Sequence, residues 1–352
     1  MAKIVSLLLF SVPALLWSRS LNRDSILHLI PKNLTGQVVI TQNNNFVFKE
    51  NFGLKERNFK TLINDSTVFN IGQVSHTIIY YLFEKLSQEN KIKLSNKVNE
   101  YIKEFPYENI QIKHLLEHQS GLPHLYVKLY HRKIYNNWNL KIHSRNGRFD
   151  NEDIINILIN EKPTLNFSPG DSTAYSDINY LLLASLVEKI TNTSFENYVR
   201  KIFFQKLHFQ PILSAENDTL VNKAYGYRFF SDSTFQLYDN LKTRNLPFDD
   251  GTYGNQHVYL SATELAIWGN FLFKKTNFDS HNIASINETI GVFKYDENHK
   301  IIAKNGAFGG ISCKLVFIPK NQIVVVINSS ILNLNSDSKE FFPLLNYLEK
   351  GI

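Results

Sequence analysis

The chain is expected to fold as an α+β protein: one antiparallel sheet completed by strands from both ends, with a helical lobe inserted between them. Three observations lead there. Alternating apolar patterns of strand type occupy residues 36–53 and the stretch beyond about 290. Helical spacing dominates between them, and no internal repeat, heptad run or low-complexity stretch points to a solenoid or coiled coil. At 352 residues, 43% hydrophobic and 20% charged, the chain has a globular composition and enough length for a large core.

Each element has its own local cause. "GQVVITQNNNFVFKENFG" (36–53) predicts a β-hairpin, two alternating runs about an Asn-rich turn closed by a glycine. "FNIGQVSHTI" (69–78) reads as a strand end and a glycine turn, leading to a helix over 77–89 with apolar spacing. "QIKHLLEHQSGLP" (111–123) gives a short helix stopped by Gly121 and Pro123. Residues 124–150 are aromatic, basic and irregular, as in a surface insertion. Helices are expected at about 150–160, 180–190 and 194–206, then a loop-like stretch over 211–258 with strand fragments near "AYGYRFF". A further helix over 261–273 starts at a capping box of Ser261 and Glu264. Strand runs at about 290–295, 300–304 and 312–328 close the sheet, before a last helix near 338–349.

The charge is +6 and its basic residues are scattered without an arm or stripe, so a solvated surface is expected and nucleic acid is not a partner. Lys3, the apolar run Ile4–Trp17 and "SRS" at 18–20 form a secretory signal-peptide pattern over residues 1–20. Export to a periplasm or the exterior follows, with no stable membrane span after cleavage, because the run is short for a bilayer. The mature chain, 21–352, reads as a single domain whose helical lobe, roughly 77–270, is inserted between sheet segments 36–72 and 290–352. Asn-x-Ser/Thr triplets, among them those beginning at Asn33, Asn64, Asn192, Asn217, Asn287 and Asn328, matter only where the secretory pathway glycosylates. The single cysteine, Cys313, lies in an alternating strand pattern and reads as a buried thiol.

Two long blocks then carry a family resemblance: "IKHLLEHQSGLP" and "SPGDSTAYSDINYLLLASLVEKITNTSFENYV". In their order the chain resembles the serine β-lactamase-related and penicillin-binding-protein-like family, which includes class C β-lactamases, D-alanyl-D-alanine carboxypeptidases and esterases. The resemblance runs from about Gly36 to Ser330. It implies a three-layer α/β/α sandwich of the β-lactamase/transpeptidase type, a hydrolase ancestry and no cofactor.

It also implies three motifs around one pocket. Where relatives carry Ser-x-x-Lys, one helical turn apart so that nucleophile and base share a face, this chain has Gln73 and His76. A carboxamide has no proton whose loss makes a nucleophile, and His76 has no hydroxyl to deprotonate. Ser75 is rotated about 200° from position 73 on a helix and is expected to pack locally. The Tyr-x-Asn position holds Tyr175-Ser176-Asp177, with a carboxylate in place of an amide. Lys304-Asn305-Gly306 matches the Lys/His-x-Gly strand motif, and the N–H near Ala307 matches half of an oxyanion hole. The expected binding residues are therefore Gln73, His76, Tyr175, Asp177, Lys304, Asn305, Gly306 and Ala307, with Tyr175 and Lys304 catalytic only if the protein is active. His114, His118 and His124 lack the zinc-protease spacing, so no metal is expected.

The reading is an exported, catalytically impaired pseudoenzyme binding a peptide, a cell-wall fragment or a small carboxylate. One alternative is a peptidase, esterase or β-lactamase type of hydrolase in which His76 or Tyr175 activates water. Another is an interaction protein whose surface insertions contact a protein partner.

Overall fold

The computed structural model describes residues 21–58, 60–124, 150–213, 222–229, 234–237, 252–275, 301–331 and 339–350. The signal-peptide pattern, nearly all of the 124–150 insertion, the run at 290–295 and the triplets at Asn217 and Asn287 lie outside the described residues.

Helix α1 (Arg23–Leu29) precedes the hairpin of β1 (Gly36–Gln42) and β2 (Asn45–Phe52). Asn43 and Asn44 make its turn at φ of 50° and 65°, the left-handed pair that a tight hairpin needs and asparagine tolerates. Short strands β3 (Leu54–Glu56), β4 (Thr61–Leu62) and β5 (Phe69–Asn70) lead to a 3-10 turn, Gly72–Ser75, and helix α2 (His76–Gln88). Then come α3 (Ile112–Leu116), α4 (Asn151–Glu161), α5 (Asp177–Thr191) and α6 (Phe195–Leu207). Strands β6 (Ile212–Leu213), β7 (Tyr227–Phe229), β8 (Phe235–Leu237) and β9 (Val258–Leu260) precede α7 (Ala262–Lys275). The expected capping box is present: the Ser261 N–H donates to Glu264 at 2.8 Å and the Glu264 N–H to the Ser261 hydroxyl at 3.2 Å.

Three further strands finish the sheet: β10 (Ile302–Phe308), β11 (Ile311–Ile318) and β12 (Ile323–Ser329), followed by α8 (Phe342–Lys350). The single run expected at 312–328 is two strands, because Pro319 opens a 3-10 turn and Gln322 turns the chain at a φ of 49°. The strand expected to end at 304 continues to Phe308, which puts Lys304–Gly306 inside the ladder.

The five-stranded sheet is antiparallel in the order β10-β11-β12-β1-β2, so β12 is central and pairs with β1, Gly36 opposite Ser329. Its apolar run is continuous because both faces are covered. Ile323, Val325 and Ile327 join Ile26, Ile30 and Leu344 in one core beneath α1 and α8, while Val324 and Val326 join the helical core on the other face. The fold is thus α+β in three layers, with α7 lying across β1, β11 and β12. Trp268 of α7 ties that layer to α2: it stacks on Phe203 at 4.8 Å, and its indole N–H donates to the Thr77 hydroxyl at 2.9 Å.

Candidate functional site

The turn at 72–75 is pressed against edge strand β10 by the absence of two side chains. Gly72 sits at a φ of +52°, and a Cβ there would lie 2.6 Å from the Ala307 nitrogen. A Cβ on Gly306 would lie 2.1 Å from the Ile71 carbonyl oxygen and 2.8 Å from the Gln73 nitrogen. Both contacts are to backbone, which has little room to yield. Gly306→Ala is therefore expected to cost about 2–4 kcal/mol of stability by pushing turn and strand apart, measured as a lowered urea midpoint. The turn is also held from behind, where the Asn70 Oδ1 accepts from the Gly72 N–H at 2.9 Å.

This close approach brings Gln73 onto the strand. Its Oε1 accepts from the Ala307 N–H at 2.9 Å, the donor that the family resemblance assigns to half of an oxyanion hole. The Gln73 side chain also stands beside the Tyr175 hydroxyl. Ser75 turns the other way: it is buried, and its hydroxyl donates to the Gly254 carbonyl at 3.2 Å.

His76 is fully buried. Its ring stacks on Tyr180 at 3.5 Å and an interplanar angle of 7°, and its Nε2 bonds the Asn255 Oδ1 at 2.8 Å. The same Oδ1 accepts from the Tyr175 hydroxyl at 2.8 Å, so His76 is the Nε2–H donor. Its Nδ1 has no hydrogen-bond partner among the described residues. Burial first, then the positive charge of Lys304 and the ring of His118, holds the His76 pKa well below the usual imidazole range. His118, at a ring distance of 5.8 Å, is pushed down to about 3 by burial and then by Lys304. Tyr175 exposes 45% of its surface, yet its hydroxyl points inward to Asn255; burial and then Asp177 push its pKa up, keeping it a phenol.

Lys304 is 8% exposed, and its Nζ makes no hydrogen bond or ion pair among the described residues. Burial alone lowers its pKa to about 7. The site thus combines a largely buried lysine with two neutral imidazoles and an intact phenol. Asp177 does not supply the missing partner. Its Oδ1 bonds the His124 Nδ1 at 2.7 Å and accepts from the Ile178 N–H at 3.0 Å, at the start of α5. Burial raises its pKa, whereas the bond to Asp177 raises that of His124. Asn305 accepts from the Lys314 Nζ at 3.2 Å on the neighbouring strand, where the two residues are paired.

Of the residues singled out in the sequence, Gln73, His76, Tyr175, Lys304, Gly306 and Ala307 form one constellation. Asp177 joins it through His124, whose ring lies 5.6 Å from Tyr175. Asn255 and Tyr180 are members that the sequence reading did not single out, and His118 is one it weighed only as a metal ligand. Asn255 lies in a stretch without periodicity. His118 owes its place to a φ of 53° and to Asn179, 3.0 Å from its Nδ1. His114 instead accepts the Gln111 N–H within its own short helix at 3.3 Å.

Comparison with known proteins gives the same frame. The Beta-lactamase family model matches residues 31–344. Penicillin-binding protein 4* of Bacillus subtilis is 26% identical over 65% of this chain, and the match spans 50% of that longer protein. The putative penicillin-binding protein PbpX of the same species is 22% identical, covering 89% of this chain and 75% of its own. Among solved structures, the octameric penicillin-binding protein homologue from Pyrococcus abyssi superposes with a TM-score of 0.69 at 17% identity, covering 92% of this chain and 75% of that one.

Proposed function

The chain belongs to the beta-lactamase family, a serine-hydrolase type of fold, and from that premise we propose that it is an exported pseudoenzyme whose pocket binds an anionic ligand without reacting with it. The observation that carries this reading is Lys304. A buried ammonium with no counter-ion costs stability and is tolerated where a ligand's negative charge completes the site. The ligand class is a peptide, a cell-wall fragment or a small carboxylate. The loss of chemistry is supported at two positions. Gln73 offers no nucleophile, and His76 is sealed under Tyr180 with its one N–H spent on Asn255. A hydrolase using His76 or Tyr175 to activate water finds less support, since the first is buried and the second donates its hydroxyl hydrogen bond to the Asn255 Oδ1. Export rests on the pattern in residues 1–20; among the described residues no helix is long and apolar enough to cross a membrane.

Intact mass after incubation with a penicillin and with a fluorophosphonate is expected to show the unmodified protein. A stoichiometric adduct mapped to one residue would overturn the reading. Binding of a carboxylate should also depend on pH in a fixed sense. Below about 7 Lys304 is charged and binding is at its tightest; above it, affinity falls about tenfold per pH unit as the ammonium is lost. Calorimetric titration between pH 6 and 9 measures this directly, and a flat profile would remove Lys304 from the ligand.

A further inference from the structure

Acylation of a serine lengthens its side chain by a carbonyl: the atoms run Cβ, Oγ, C(=O), X. Glutamine has the same run, Cβ, Cγ, Cδ(=Oε1), Nε2, with a methylene in place of the ester oxygen. In this protein the carbonyl end of that run is docked. The Gln73 Oε1 accepts from the Ala307 N–H at 2.9 Å, and the side chain stands beside the Tyr175 hydroxyl. The contact is built rather than incidental, because it needs turn and strand to touch at Gly72 and Gly306, where added Cβ atoms would lie 2.6 and 2.1 Å from backbone.

We propose that Gln73 is a built-in stand-in for an acyl group, occupying the carbonyl subsite at Ala307 from within and so restricting the pocket to anions that need no carbonyl subsite. Gln73 is then a specificity-determining residue as well as a missing nucleophile. A ligand with both a carboxylate and a carbonyl reaches Lys304 but finds the N–H of Ala307 already taken. A ligand with only the carboxylate loses nothing. This rests on the reading of the pocket as a non-reacting anion site.

Two probes separate the cases: N-acetylglycine, with an amide carbonyl and a carboxylate, and propionate, with the carboxylate alone. Wild type is expected to bind them alike. In Gln73→Ala the subsite opens, and N-acetylglycine should tighten about tenfold, the worth of one well-placed hydrogen bond, while propionate stays within about twofold. Equal changes for the two probes would overturn the proposal. Gln73→Met supplies a second arm, since it fills the space but accepts no hydrogen bond. Deuterium exchange at the Ala307 amide should quicken at least about tenfold there, and unchanged exchange would also overturn it. If wild type binds neither probe, the anion-pocket reading falls alone, because the exchange arm still decides what Gln73 does.

Discussion

Lys304→Met is expected to give a protein that is harder to unfold and no longer holds a carboxylate. The two effects share one cause. In the folded chain Lys304 is 8% exposed, its ammonium has no partner among the described residues, and burial lowers its pKa from the ordinary lysine value of 10.5 to about 7. Between those limits the unfolded chain binds a proton that the folded chain does not, so stability rises with pH across this window and is lowest below it. A methionine of similar length keeps the packing and removes the charge. Replacing buried charges by apolar groups is often stabilising by about 1–4 kcal/mol, and an unpaired charge belongs at the upper end. Urea unfolding at pH 6 and pH 9 should show a gain that is large at the lower value and small at the higher. Carboxylate affinity should fall by about a hundredfold or more, the worth of a charge-assisted hydrogen bond in a dry site. A variant that lost both stability and binding would mark Lys304 as a packing residue. A role confined to protein-partner contacts predicts that partner binding survives the change.

The second large effect is expected at His76. Restoring a lysine there, alone or with Gln73→Ser, should destabilise the fold by about 3–5 kcal/mol, the range for an uncompensated buried charge. The site is fully buried, the Tyr180 ring covers it at 3.5 Å, and Lys304 already pushes positive charge away from it. The Asn255 Oδ1 is shared with Tyr175 and offers a second donor little more. The loss should shrink as pH rises and the new lysine becomes neutral. Thermal midpoints of wild type and His76→Lys across pH 6 to 10 would show it. A restored Ser-x-x-Lys pair that is both stable and acylated by a penicillin would mean that the pocket kept its capacity for chemistry.

Those two residues also mark how far the sequence was legible. The hairpin and the capped helix α7 were readable because Asn43–Asn44 and Ser261–Glu264 act through near neighbours. Gln73, His76 and Lys304 could be located because their strand and turn retain family spacing. What they do there could not be read. The bond from Ala307 to Gln73 spans most of the chain, and that from His76 to Asn255 joins a helix start to an aperiodic loop. The sequence also left the partner of Asp177 open. It bonds His124, a choice made by three-dimensional distance within the folded lobe.

The pairing of β1 with β12 sets a clock as well as a shape. Gly36 finds its neighbour in Ser329, so β1 waits on the ribosome for a strand made about 290 residues later. Until then the β1–β2 hairpin has one flank open and its inner face uncovered, with the whole helical lobe to be synthesised in between. Contacts of such long separation close slowly, and their late arrival delays cooperative folding. A nascent chain of this kind stays pliable for most of its synthesis, and a stop near residue 320 would release an unpaired strand edge prone to joining other chains.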